Sequence, residues 1–231
     1  VAIVGLLTGA LIFATIGVLL QHRESIVQHM LGRKTVGDRL EEFGDAARAR
    51  MRPAFEAVGV AYPPDAVVLV AFKAARTLTL HAGDTPGALK TVTTYPVLGQ
   101  SGELGPKLRE GDRQVPEGVY RIEGVNPNSN YHVSLRLNYP NNFDLQKAAA
   151  DGRLDAGSDI YIHGGTASVG CLAMGDSAIE ELFILALDCR MENIRVIIAP
   201  GDLREGDVQV EGAPPWLPQL YAQILGAMKR L

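Results

Sequence analysis

The chain is poor in the residues that announce many common chemistries. It has two cysteines, Cys171 and Cys189, and no C-x-x-C, H-E-x-x-H or Walker-type glycine loop, so zinc and nucleotide chemistry find no support. No metal site and no cofactor is expected. Lysine and arginine form no run that recurs on one face, and the net charge is −4, which argues against nucleic acid as the partner. What the chain does have is apolar substance. Hydrophobic residues make up 47% of its 231 residues, enough for a real core in one domain with accessory segments.

The first accessory segment is Val1 to Leu20, uncharged and apolar and about long enough to cross a bilayer as a helix. No A-x-A pattern follows it, so residues 1–21 are expected to form an uncleaved transmembrane signal anchor. The chain opens on Val, so the true start is expected upstream. Gly5 and Gly9 make a G-x-x-x-G pair able to pack two such helices together. Arg23, Arg33 and Lys34 follow, a distribution that alone mildly disfavours export. Residues 22–61 read as a helical linker. Val36, Leu40, Phe43, Ala47, Met51 and Phe55 recur at three and four residues between Thr35 and Glu56, the spacing of one helix face. Pro53 is expected to kink or end that helix. Tyr62-Pro63-Pro64 then marks a boundary.

Residues 62–201 read as the main domain, with residues 202–231 as a C-terminal loop and helix. Val67–Phe72 and Thr77–His81 form a hairpin pattern around Lys73-Ala74-Ala75-Arg76. Thr91–Leu98 and Val119–Val125 are strand-prone. Tyr131–Asn138 alternates cleanly, with Tyr131, Val133, Leu135 and Leu137 on one face and His132, Ser134, Arg136 and Asn138 on the other, as in a half-buried strand. His132 and Arg136 either line a cleft or lie at the surface. Gly99–Gly118 is a long glycine-rich loop, in which Lys107 and Arg109 either meet a carboxylate or stay solvated. Gln146–Asp155 reads as a short exposed helix. Ser177 and Glu180 make a capping box that opens a helix through Arg190. Arg195–Ala199 is the last core strand, and Trp216–Leu231 an amphipathic helix. The fold class is mainly β with flanking helices (α+β).

The chemistry concentrates in Asp159–Asp176, DIYIHGGTASVGCLAMGD. A short apolar strand ends at His163, and Cys171 follows eight residues later, with Gly164, Gly165, Ser168 and Gly170 between. Glycines let the loop turn back so that the two can meet. An imidazole beside a thiol can make it the nucleophilic thiolate. His163 is the candidate general base, and then the acid for a leaving amine. The backbone N–H groups of Gly170 and Cys171 are the candidate oxyanion donors. Ser168 either shapes the loop or contacts substrate, since no second base is visible beside it. Cys189 is most simply a small buried apolar residue. A Cys171–Cys189 disulfide would lock the nucleophile.

The pattern I-H-G-x-x-x-S-x-G-C resembles the active-site signature of the YkuD-like L,D-transpeptidases. Gly105-Pro106-Lys107, Gly111-Asp112, Pro116-Glu117-Gly118-Val119-Tyr120, Asn126-Pro127-Asn128-Ser129 and Asn138-Tyr139-Pro140-Asn141 extend the likeness upstream. Within that family the chain looks most like the YafK-like subgroup. The resemblance implies a β-sandwich catalytic domain that acts on L,D amide bonds of peptidoglycan stem peptides through an acyl-cysteine. It implies that Gly164 offers its carbonyl to His163, and it sets Lys107, Arg109 and Arg136 beside Ser168 as substrate contacts. Stem peptides, and a wall-linked lipoprotein, become the expected partners. The anchor then belongs in the bacterial inner membrane, with the catalytic domain in the periplasm. Many family members carry His before the Gly-Cys pair and Arg or Asn two residues after the Cys. This chain has Val169 and Ala173. Hydrolysis, releasing wall-bound lipoprotein or trimming, is therefore expected over transpeptidation. Cross-link formation, and a silent peptidoglycan-binding module, are the alternatives.

Overall fold

In the computed structural model of this protein, residues 32–231 are described, and the expected anchor over residues 1–21 lies outside them. Among the described residues no helix is long and apolar enough to cross a membrane. The chain divides into two units, Val1–Glu42 and Phe43–Leu231. The described part of the first contains a short helix, α1 (Val36–Arg39), opened by a capping box in which the Thr35 hydroxyl accepts the Asp38 N–H and the Asp38 carboxylate accepts the Thr35 N–H. Glu42 pairs with Lys34 at 2.7 Å and with Arg39 at 2.8 Å. A π-helical turn, Leu40–Gly44, leads in sequence to α2 (Asp45–Val58).

The second unit is built on eight strands: β1 (Ala66–Phe72), β2 (Thr77–Gly83), β3 (Lys90–Pro96), β4 (Gly118–Ser129), β5 (His132–Leu137), β6 (Tyr161–His163), β7 (Leu172–Ala173) and β8 (Ile194–Ala199). They join in the order β3-β2-β1-β8-β4-β5-β6-β7. β1 and β8 lie side by side and parallel near the middle. Their sequences, AVVLVAF and IRVIIA, are nearly continuous apolar runs, as strands covered on both faces require. Val68, Val70, Ile197 and Ala199 pack against Leu217, Leu220 and Ile224 of the C-terminal helix α5 (Leu217–Met228). The alternate residues Leu69, Ala71, Val196 and Ile198 are buried as well. Each large apolar side chain withdrawn from water in this way contributes about 1.5–3 kcal/mol.

The β4 strand is the joint of the sheet. Residues 118–121 pair with β8, whereas Ile122 onward pairs with β5, and the register shifts between Ile122 and Gly124. The half beyond the joint, β5-β6-β7, holds His163 at the end of β6 and Cys171 just before β7. The helix α4 (Asp176–Asp188) packs against β5, β6 and α2. Phe43 meets Phe183 edge-on at 6.2 Å, and Arg48 and Arg50 of α2 hold Asp188 and Glu181 of α4 at 2.8 and 2.7 Å. Phe43, Ala47, Met51 and Phe55 are all buried, so the periodic apolar face is the packing face. Helix α2 runs through Pro53 and ends at Gly59, which is left-handed.

Two local expectations are corrected. The Ser177–Glu180 capping box does not form: α4 starts two residues earlier, capped by Gly175, with no side-chain cap hydrogen bond. Glu180 instead reaches His132 at 3.0 Å and Arg50 at 2.9 Å. The exposed helix placed at 146–155 is α3 (Asn142–Ala150), because Asn141 and Asp144 form the capping box that sets its start. Lys73, in the hairpin turn, is 2% exposed. Its ammonium lies 3.1 Å from Glu117, which is fully buried, and donates to the carbonyls of Gly105 and Val115 at 2.9 Å. Glu117 in turn accepts the Gly105 N–H at 2.7 Å and the Tyr221 hydroxyl at 2.9 Å. This cluster folds the long Gly99–Gly118 stretch down and ties it to α5.

Candidate active site

The β6 strand is only three residues long, and it is placed by its neighbours. Ser134 of β5 pairs with His163, and β7 returns parallel to β6 with His163 opposite Ala173. The loop from Gly164 to Cys171 makes that return. Gly165 and Gly170 take φ of 63° and 98°, a region glycine enters without the strain of a Cβ. Hydrogen bonds close the loop: the Met174 N–H donates to His163 O at 2.8 Å, and the Gly175 N–H to Gly165 O at 2.9 Å. The Gly165 N–H donates to the Asp176 carboxylate at 2.9 Å. Gly164 has no room for a side chain. A Cβ there would lie 2.6 Å from both Asp176 Oδ1 and Tyr131 O.

This return brings His163 and Cys171 to one cleft of about 300 Å³, shared with Asn126, Asn128, Ser129, Asn130, Tyr131, Ser134, Tyr161 and Val169. None of these ten side chains carries a formal charge when the imidazole is neutral. His163 is 3% exposed, and its Nδ1 lies 2.7 Å from Gly164 O. A carbonyl only accepts, so Nδ1 bears the proton and Nε2 presents its lone pair. Burial holds the His163 pKa below its ordinary value, with the Gly164 bond opposing. Burial also pushes the Cys171 thiol up, against the Tyr161 backbone N–H. Both shifts favour the uncharged forms, so the resting pair is thiol and imidazole, and the proton moves when sulfur attacks. The Cys171 sulfur lies 3.8 Å from Asp159 O. Both cysteines are free thiols, and burial raises Cys189 to about 12.

The other sequence-predicted residues separate into two groups. Ser168 shapes the loop: its hydroxyl donates to Cys171 O at 2.6 Å and accepts the Cys171 N–H at 3.1 Å. The Gly170 N–H donates to the Ser101 hydroxyl at 2.6 Å. Neither expected oxyanion donor is therefore open in this structure, and an oxyanion must displace a serine hydroxyl to use either. Lys107, expected at a substrate carboxylate, is instead 7% exposed, with its ammonium on Asp112 and on Arg109 O. Asp112 also accepts the N–H groups of Leu108, Arg109 and Gln114, so this ion pair pins the loop. The Arg109 side chain is exposed and outside the cleft lining. Arg136 is exposed and also outside the cleft lining, 3.2 Å from Glu123 and 3.6 Å from Asp159.

Of the two departures from the family pattern, Val169 lines the cleft and is 68% exposed, whereas Ala173 is buried in β7 and outside the cleft lining. Sequence reading missed Ser101, Tyr131 and Asp176. The first two lie in other segments of the chain, and no motif links them to the loop. Asp176 lay inside the quoted stretch, but only the fold shows its bond to Gly165.

The YkuD model, described as the L,D-transpeptidase catalytic domain, matches residues 66–202. "Putative L,D-transpeptidase YafK" of Escherichia coli (strain K12) is 34% identical over 119 residues, which cover 51% of this chain and 46% of that protein. The chain thus spans about half the length of the curated relatives it matches. Among solved structures, the helical cell shape determining protein Pgp2 of Campylobacter jejuni matches with a TM-score of 0.48 and 21% identity, over 62% of this chain and 50% of that one. L,D-transpeptidase 1 of Mycobacterium tuberculosis matches with a TM-score of 0.35 and 15% identity, over 58% and 62%. Likeness at that level carries no weight beyond the family match.

Proposed function

Because the chain belongs to the YkuD family of L,D-transpeptidase catalytic domains, we propose that it cleaves an L,D amide bond of peptidoglycan stem peptides through a thioester on Cys171. The observation that carries this reading is the shared cleft of Cys171 and His163, with His163 Nδ1 committed to Gly164 O. In the first half-reaction the Cys171 sulfur attacks the amide carbonyl while its proton passes to His163 Nε2. The tetrahedral adduct collapses, the C–N bond breaks, and the imidazolium returns the proton to the leaving amine. In the second, a water gives a proton to Nε2 as its oxygen attacks the thioester. The thiolate leaves and takes that proton back.

Hydrolysis is favoured over transfer by the wall of the cleft. A transferase must hold a second amine near the thioester and disfavour water, which is positioning work. Val169 presents only methyl groups there, and Lys107 is bound to Asp112. A wall-linked lipoprotein released from the stem peptide is one product this chemistry would give. The apolar Val1–Leu20 stretch supports an envelope location, with the domain held on the outer side of the inner membrane. A C-terminal fusion to an export-dependent reporter should be active, and a signal confined to the cytoplasm would reject that location. To decide the reaction, the full chain is incubated with tetrapeptide muropeptides and a labelled D-amino acid, and the products are read by mass spectrometry. Loss of the terminal residue without label is expected. Dominant incorporation of label would restore the transpeptidase reading.

A further inference from the structure

Tyr131 lies at the tip of the β4–β5 hairpin, 32 residues from His163 in sequence, yet it touches the histidine's surroundings in three ways. Its ring stacks on the His163 imidazole, with centroids 4.6 Å apart and planes 25° from parallel. Its carbonyl accepts the Gly164 N–H at 3.0 Å. Its Cδ1 lies 3.4 Å from where a Cβ on Gly165 would sit. The hairpin holds Tyr131 in turn: its own N–H donates to the Ser129 hydroxyl at 3.2 Å, and the next residue, His132, sits at a φ of 73°.

We propose that Tyr131 is a positioning residue for the general base: its ring fixes the plane of the His163 imidazole, and its carbonyl fixes the Gly164 peptide whose oxygen holds Nδ1. Two constraints are needed because a single hydrogen bond at Nδ1 leaves the imidazole free to tilt about it. The stack removes that freedom and keeps Nε2 turned toward the cleft. It also covers one ring face. Burial is the main reason the His163 pKa is held below its ordinary value, and Tyr131 is part of that cover although 42% exposed itself. The titratable groups around the imidazole are Cys171 and Tyr161 in the same cleft, Asp159 behind Cys171, Asp176 at the start of α4, and the His132–Glu180 pair. Tyr131 is stacked on the ring itself.

This inference rests on His163 serving Cys171 as proposed above, but it is tested without muropeptides. The probe is iodoacetamide alkylation of Cys171 in the full chain, followed across pH by mass spectrometry of the Cys171 peptide. Tyr131→Phe keeps the ring and the carbonyl and should alkylate within about twofold of the unmodified chain. Tyr131→Ala should slow alkylation near neutral pH on the order of tenfold and change the shape of the pH profile. In a His163→Ala background the Tyr131→Ala change should have no further effect, because a residue that acts through His163 has nothing left to act through. A Tyr131→Ala profile identical to that of the unmodified chain would overturn the proposal. So would an equal loss from Tyr131→Ala with and without His163, or a Tyr131→Phe chain as slow as Tyr131→Ala. If the unmodified chain turns over no muropeptide while alkylation follows the expected pattern, the peptidoglycan reading fails and the positioning role stands.

Discussion

Two stretches rich in glycine meet near Cys171, and they are held in opposite ways. The Gly99–Gly118 stretch is pinned by ions, with Lys73 on buried Glu117 and Lys107 on Asp112. The Gly164–Cys171 loop is held by neutral groups: backbone pairs to Met174 and Gly175 and the hydroxyls of Ser101 and Ser168, with the Asp176 carboxylate as the exception. An ion pair inside a protein fixes shape strongly but acts at long range on every titrating neighbour. With most formal charge kept in the supporting loop, burial is the largest influence on both the thiol and the imidazole, and the charges of Asp159 and Lys107 act on the thiol in opposite directions.

That contrast predicts different failures on the two sides. On the neutral side, Cys171→Ala should lower muropeptide turnover by a factor on the order of 10⁴ or more while leaving the urea midpoint unchanged. Turnover that survives the change would remove Cys171 from the mechanism. On the ionic side the loss should be one of stability. Lys73→Ala leaves Glu117 buried without its counter-ion, and such a change costs about 3–5 kcal/mol, read from urea unfolding. A paired Lys73→Met, Glu117→Leu replacement should recover part of that, though the Gly105 N–H and the Tyr221 hydroxyl then lose their acceptor. A loss from Lys73→Ala alone of less than about 1 kcal/mol would mean that the loop is held by something other than the ion pair.

A third test reads the cleft's neutrality directly. Burial lowers the His163 pKa, and the base form is the one present above that pKa. Turnover should therefore persist as pH falls past the value of about 6.5 ordinary for histidine, and then drop about tenfold per pH unit, or ~1.4 kcal/mol. An acid limb above 6.5 would contradict a neutral, buried base. The smallest effect should come from Arg109→Ala. Its side chain is exposed and unpaired among the described residues, so stability should stay within about 0.5 kcal/mol, and turnover should be unchanged if Arg109 holds no substrate. A clear rise in KM would return it to the binding site.

The strands were legible because their alternation and apolar runs report burial directly. Val133, Leu135 and Leu137 are each 0% exposed, as the period-two pattern of β5 implies, whereas Tyr131 of the same face is 42% exposed and Ser134 of the other face is buried at 2%. The α2 face was legible for the same reason at a different period. That His163 and Cys171 share one cleft was legible because only the short glycine-rich loop separates them. What could not be read was the destination of groups that act across the sheet. Lys73 sits in a sequence that looks like a turn, and only the fold of a distant loop buries it. Ser177 and Glu180 satisfy a capping pattern, but Glu180 finds His132 and Arg50 instead. Lys107 looks like a free cation until Asp112 is seen to be within reach. In each case a local rule gave way to a partner that sequence distance conceals.

The placement of β8 has a consequence for how the cleft comes into being. β1 and β8 pair in parallel with more than a hundred residues between them, and β4 pairs with β8 over its first four residues before it turns to β5. Parallel pairing over such a separation raises contact order and slows folding. As the chain is synthesised, Cys171 emerges before the strand that seats β4. A chain cut after residue 190 would carry the whole Gly164–Cys171 loop and lack β8, a partner strand of both β1 and β4. The thiol therefore leaves the ribosome before the strand that completes the sheet on which its cleft is built.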